Sequence, residues 1–120
     1  MATEVSAAAP HTVNVSIPAG QSISDLALVN GKIVGIYMPS GWDAADITFM
    51  VSQDASGNGV PVYDDGVERS IPSAQAVAGR LISLDLNDWL AINVIRIRSG
   101  TSGAPVNQTA RRDFALVLAG

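Results

Sequence analysis

The sequence predicts an all-β fold, a sandwich or barrel of about eight strands, and three observations predict it. Several short segments alternate apolar and polar residues with a period of two, the signature of a half-buried strand. Turn-forming residues separate nearly all of these segments, at spacings of roughly 8 to 14 residues. No stretch sustains a 3.6-residue period over three turns, so a helical domain is not expected.

The segments run as follows. Met1 to His11 (MATEVSAAAPH) is small, polar and ended by Pro10, and reads as an extended arm outside the packed domain, which spans residues 12–120. Thr12 to Ile17 puts Val13, Val15 and Ile17 on one face and Thr12, Asn14 and Ser16 on the other. Pro18-Ala19-Gly20 is a turn. Ile23 to Val29 is a second strand, followed by Asn30-Gly31, a dipeptide favoured in tight hairpins because both residues tolerate positive φ. Lys32 to Met38 stops at Pro39-Ser40-Gly41, and Ile47 to Gln53 alternates Ile47, Phe49 and Val51 against Thr48, Met50 and Ser52. After the loop Asp54 to Gly59, Val60 to Tyr63 and Val67 to Ile71 flank Asp64-Asp65-Gly66, a hairpin signal. Arg80 to Leu84 is strand-like, and Asn87 to Leu90 is ambiguous around Trp89. Val94 to Ser99 places Arg96 and Arg98 on one face opposite Ile95 and Ile97. Asp113 to Ala119 is nearly continuous in apolar residues, as expected of a central strand covered on both sides.

Composition narrows the function classes. The chain has 120 residues, the size of one domain, with 48% hydrophobic and 15% charged residues, which argues against intrinsic disorder. Low charge commits less surface to hydration and leaves more for contact with another protein. Net charge is −4, and Lys32 is the one lysine beside six arginines, so nucleic-acid binding is not expected. No cysteine is present, which removes disulfides, thiolate metal sites and cysteine nucleophiles. The N-terminal segment has no basic start and no apolar stretch of a signal peptide, and no window reaches the length of a membrane span.

No residue set points to catalysis, a metal or a cofactor. His11, the one histidine, stands in the arm beside Pro10, where nothing orients its imidazole as a triad requires. Asp64 and Asp65 are adjacent and face opposite ways on a strand. Asp43 with Asp46, and Asp85 with Asp88, sit in turn contexts where Asp bonds local backbone. The loop Asp54 to Gly59 has turn chemistry and misses the calcium-loop spacing. Trp42 and Trp89, with Tyr37 and Tyr63, raise carbohydrate binding, although Trp more often serves as a core plug or interface anchor.

With these elements placed, the chain resembles a family of small virion proteins of tailed bacteriophages and prophages. The likeness covers Val13 to Leu118. It is carried by VNVSIPAGQSISDLALVNGKIVGIYMPSGWDAADITFMVSQD, by the central VYDDGVE, and by the closing VIRIRSGTSGAPVNQTARRDFALVLA. The order of these moderate motifs carries it, more than any one of them. Where the family pattern has an aromatic residue before the Tyr-Asp pair, Val60-Pro61-Val62 stands here, so no ligand role is carried over from that aromatic. The resemblance implies a jelly-roll-like sandwich, made in the host cytoplasm and assembled on the outer surface of the capsid as a decoration (cement) protein. The implied partners are the major capsid protein and further copies of the chain, as a homotrimer. A tail, baseplate or head-fibre component is the alternative within that class, and a carbohydrate-binding module for host attachment is the alternative outside it. The expected contact residues are Val5 and His11 of the arm, Trp42 of its loop, and the face carrying Arg96 and Arg98.

Overall fold

The computed structural model describes residues 11–29, 32–52, 59–84 and 94–119. These form eleven strands: β1 (His11–Ile17), β2 (Ala27–Leu28), β3 (Lys32–Tyr37), β4 (Ile47–Ser52), β5 (Val60–Pro61), β6 (Tyr63–Asp64), β7 (Val67–Glu68), β8 (Ser70–Ile71), β9 (Leu81–Ser83), β10 (Val94–Ser99) and β11 (Arg112–Ala119). No described residue is helical. One sheet has the order β1-β11-β3-β9, the other β2-β10-β4-β5 with β8 also on β4, and every pairing is antiparallel.

Strands β5 and β8 are two halves of one strand. Both run antiparallel to β4, β5 opposite Met50 and Val51 and β8 opposite Ile47 and Thr48. Between them the Val62 amide donates to the Phe49 carbonyl, so Val62 fills the one position the ladder needs there. Tyr63 to Arg69 is therefore extra chain extruded from the sheet edge, and it folds on itself as the β6–β7 hairpin. With β5 and β8 counted once and that hairpin set aside, eight strands remain of the eleven, in two sheets of four. In chain order they occupy positions 1-8-3-6 and 2-7-4-5, the double Greek key of a jelly roll.

The period-two pattern explains the core. Val15 and Ile17 of β1, Phe114, Leu116 and Leu118 of β11, and Ile33 and Ile36 of β3 point inward from the first sheet. Ile47 and Phe49 of β4 and Ile95 and Ile97 of β10 meet them from the second. Each such side chain contributes about 1.5–3 kcal/mol by leaving water, which is why alternation fixes the facing of every strand.

Several sequence expectations are refined. His11 was assigned to the arm, but it opens β1, opposite Leu118. Of Ile23 to Val29, Ala27 and Leu28 form β2, while Ile23 makes a single bridge to Arg98 because Ser24 bonds sideways to Ile97. The β2 and β3 strands lie in different sheets, so they are not the two arms of a hairpin. β11 is central, between β1 and β3, but one of its faces is only part-covered: Asp113 is exposed and Ala115 and Val117 are half-buried. Its apolar run reflects small outward residues, not a second buried layer. The rest of the arm, the Asn30-Gly31 turn, most of the Asp54–Gly59 loop, Asp85, Asp88 and Trp89 lie outside the described residues.

Candidate interaction surface

The extruded hairpin is built from a local signal. Asp65 and Gly66 both have positive φ, 54° and 79°, and form the two-residue connection between β6 and β7. Paired positive φ values match the right-handed twist of hairpin strands, and Asp-Gly supplies them at little cost. Asp64 and Arg69 form an ion pair across its base.

A second, buried ion pair joins the hairpin to the sheet. Arg98 projects from the outer face of β10 and its Nη2 pairs with Glu68 Oε2. Its Nε donates to Thr48 Oγ1 (3.0 Å), and Thr48 Oγ1 donates to the Gly100 carbonyl (2.7 Å). Glu68 Oε1 accepts from the Ser102 amide (3.0 Å) and hydroxyl (3.1 Å). Arg98 is 6% exposed, and Thr48 and Met50 beside it are buried. This overturns the expectation that Arg98 is a contact residue: the hairpin folds back over that part of the face, and the guanidinium is an internal strut. Arg96 is half-buried, with Nη1 donating to the Ser24 carbonyl (3.0 Å).

The hairpin's remaining side chains face solvent. Tyr63 is 56% exposed and Val67 69%, with Val60 exposed where the strand departs. Opposite Glu68 and Asp64 respectively, Tyr63 and Val67 lie on the two faces of the ribbon, so this pinned, two-stranded element holds an apolar contact residue outward on each.

A polar cluster at the Trp42 loop holds other loops together. Gln108 is fully buried: its Oε1 accepts from the Asp43 amide (2.8 Å) and Arg112 Nε (3.1 Å), and its Nε2 donates to the Asp43 carbonyl (3.0 Å) and Ser99 Oγ (2.8 Å). Asp43 accepts from the Thr109 amide (2.6 Å), and that bond, with help from the Thr109 hydroxyl and Arg112, holds its carboxyl below the usual range. Asp113 is likewise lowered, by the Ser16 hydroxyl and then by Arg111. Gly100, at φ 89°, lets the neighbouring loop close: a Cβ there would lie 2.4 Å from the Ala104 carbonyl oxygen.

No family model matches the chain, and neither the search of curated proteins nor that of solved structures returns a match.

Trp42 is part-buried against the core, edge-on to Phe114 with ring centroids 5.4 Å apart, and its Nε1 donates to the Ala45 carbonyl (3.4 Å). It packs against the core at the sandwich end. His11 is exposed at the head of β1, and Val5 lies outside the described residues. Among the described residues no three of His, Asp and Glu form a group that could hold a metal ion. A shallow hollow of ≈320 Å³ beside Asp46 opens widely to solvent, and Asp46 Oδ1 already accepts from the Ser73 amide (2.7 Å). The expected site residues are thus not gathered in one place. Sequence reasoning missed Glu68, Val67 and Gln108, and singled out Tyr63 only as an aromatic for carbohydrate binding. Only the Asp-Gly turn signalled Glu68 and Val67, and nothing local signalled Gln108.

Proposed function

We propose that the chain is a structural virion protein of a tailed bacteriophage, a decoration (cement) subunit on the outer surface of the head shell. The observation that carries this reading is the pinned hairpin, with Tyr63 and Val67 held in solvent by the buried Arg98–Glu68 pair. A side chain that is already ordered loses little entropy on docking, so such an element suits a contact made many times over. The resemblance to small virion proteins supports the same reading, as do the low charge and the self-sufficient core of a 120-residue jelly roll. Its partners in this reading are the major capsid protein and further copies of itself, and it carries out no chemistry.

The test is binding to purified heads that lack the protein. The wild-type chain is expected to bind in many copies and to raise the heat or chelator resistance of the heads. The double variant Tyr63→Ala/Val67→Ala is expected to bind at least about tenfold more weakly at unchanged melting temperature, because exposed anchors matter to docking and not to folding. Absence of both binding and stabilisation by the wild-type chain overturns the reading.

A further inference from the structure

We propose that β1 is a self-pairing edge through which two copies join their first sheets into one eight-stranded sheet. The inference is independent of the virion reading and concerns the chain by itself.

Exposed edges invite strand addition, and proteins blunt them by shortness, bulges, charges or cover. Three of the four edges formed by the described strands are blunted. β2 has two residues, β9 has three and follows Arg80, and the β5/β8 edge is broken by the extruded hairpin. The fourth edge is β1, seven residues long with no bulge in its register against β11, no proline and no charged side chain apart from the ionisable His11.

Its free hydrogen-bonding groups can be located. The Ser16 amide donates to Asp25 Oδ1 (2.9 Å) and its carbonyl accepts from the Asp25 amide (3.1 Å), so the Ser16 backbone turns away from β11. Antiparallel ladders alternate, so Asn14 and Thr12 also turn away from β11 and present their N–H and C=O groups at the edge. Asp25 covers the Ser16 end, and on the side away from β11 no described residue bonds the backbone of Thr12 or Asn14.

A second copy fits this edge in one register. Antiparallel pairing about a two-fold axis at Val13 sets Thr12 opposite Asn14 of the other copy and Asn14 opposite its Thr12. All four free groups of each copy are then used, in four hydrogen bonds. Centring on Asn14 fails, because it opposes Thr12 to Ser16, whose groups Asp25 already takes. Centring on Thr12 needs an N–H from residue 10, and Pro10 has none. In the Val13 register no acidic or basic pair of like sign is opposed, Thr12 and Asn14 meet on the outer face, and the half-buried Val13 meets its own copy on the inner face. The two-fold arrangement differs from the homotrimer that the family resemblance implies.

The full chain, without capsid, is examined by sedimentation at concentrations from about 10 µM to 1 mM, a range that reveals modest affinities. A monomer–dimer equilibrium is expected. Asn14→Pro removes one edge N–H that no described residue uses and is expected to weaken the dimer at least about tenfold while keeping the thermal transition. Should that variant not fold, Val13→Cys decides the matter. The chain has no cysteine of its own, and Val13 would face its copy as a non-hydrogen-bonded pair with Cα atoms about 4.5 Å apart, within disulfide range. Mild oxidation is expected to give a covalent dimer with Val13→Cys and none with Ala110→Cys, an exposed loop control. A monomer throughout, a trimer, or a dimer that Val13→Cys does not cross-link overturns the proposal.

Discussion

At the scale of single residues, the polar side chains that matter are those whose partners lie far along the chain. Gln108 is fully buried, yet each polar atom of its amide has a partner on another loop or strand, which is what makes its burial tolerable. Asp43 and Asp113 hold their charge below the ordinary value of 3.8 because hydroxyl, amide and guanidinium donors favour the ionised form. A carboxyl lowered in the folded state adds stability that is fully present above its unfolded pKa and is lost as pH falls through the folded one. Stability measured by urea denaturation is therefore expected to hold from neutral pH down to about pH 4 and to decline below it. Asp43→Asn should be less stable at pH 7 and should show a shallower decline in acid, since it has no proton to take up at that position. These roles were illegible in the sequence. Asp43 was expected to bond local backbone, whereas its main donor, Thr109, is 66 residues away.

At the scale of elements, the hairpin was half legible. Asp65-Gly66 marks a turn because positive φ is a property of those residues themselves, and the turn stands where it was expected. That the turn interrupts an edge strand, and returns over the sheet, depends on Glu68 finding Arg98, 30 residues on. The same pair explains why alternation misled about Arg98: it assigned the correct face but could not say that the face was covered. Removing one partner of a buried ion pair leaves the other charge stranded, at about 3–5 kcal/mol, while an apolar replacement of both is often near neutral. Arg98→Met is thus expected to lower the unfolding free energy by about that amount, and Arg98→Met/Glu68→Leu to recover most of it. A double variant as unstable as the single one would show that the hydrogen bonds of Glu68 to Ser102 and of Arg98 to Thr48, not the ion pair, supply the stability.

At the scale of the whole molecule, the jelly roll brings its first and last described strands together. β11 lies between β1 and β3, pairing with β1 along all seven residues of that strand, so the last strand is the middle of the first sheet. Its Phe114, Leu116 and Leu118 are core residues, and large-to-small changes at such sites cost about 2–5 kcal/mol each. Deleting residues 112–120 is expected to abolish the cooperative thermal transition followed by circular dichroism. A retained transition would mean that the second sheet folds by itself. Pairing of strands so distant in sequence also places folding among the slower small domains, because loop closure precedes the contacts that reward it.

The sequence by itself determined the all-β class, the placement of the long strands and the facing of their core residues. Each of these follows from residues adjacent in the chain: alternation sets the face, and Gly, Pro and Asp set the breaks. Tertiary structure alone decided which strands are neighbours, which outward face is covered and which edge is left open. β1 shows the difference. Its alternation was plain from Thr12 to Ile17, but its exposure as the one long unblunted edge among the described strands depends on where β2, β5, β8 and β9 end up. Pairing and cover join residues remote in sequence, and no local pattern encodes them.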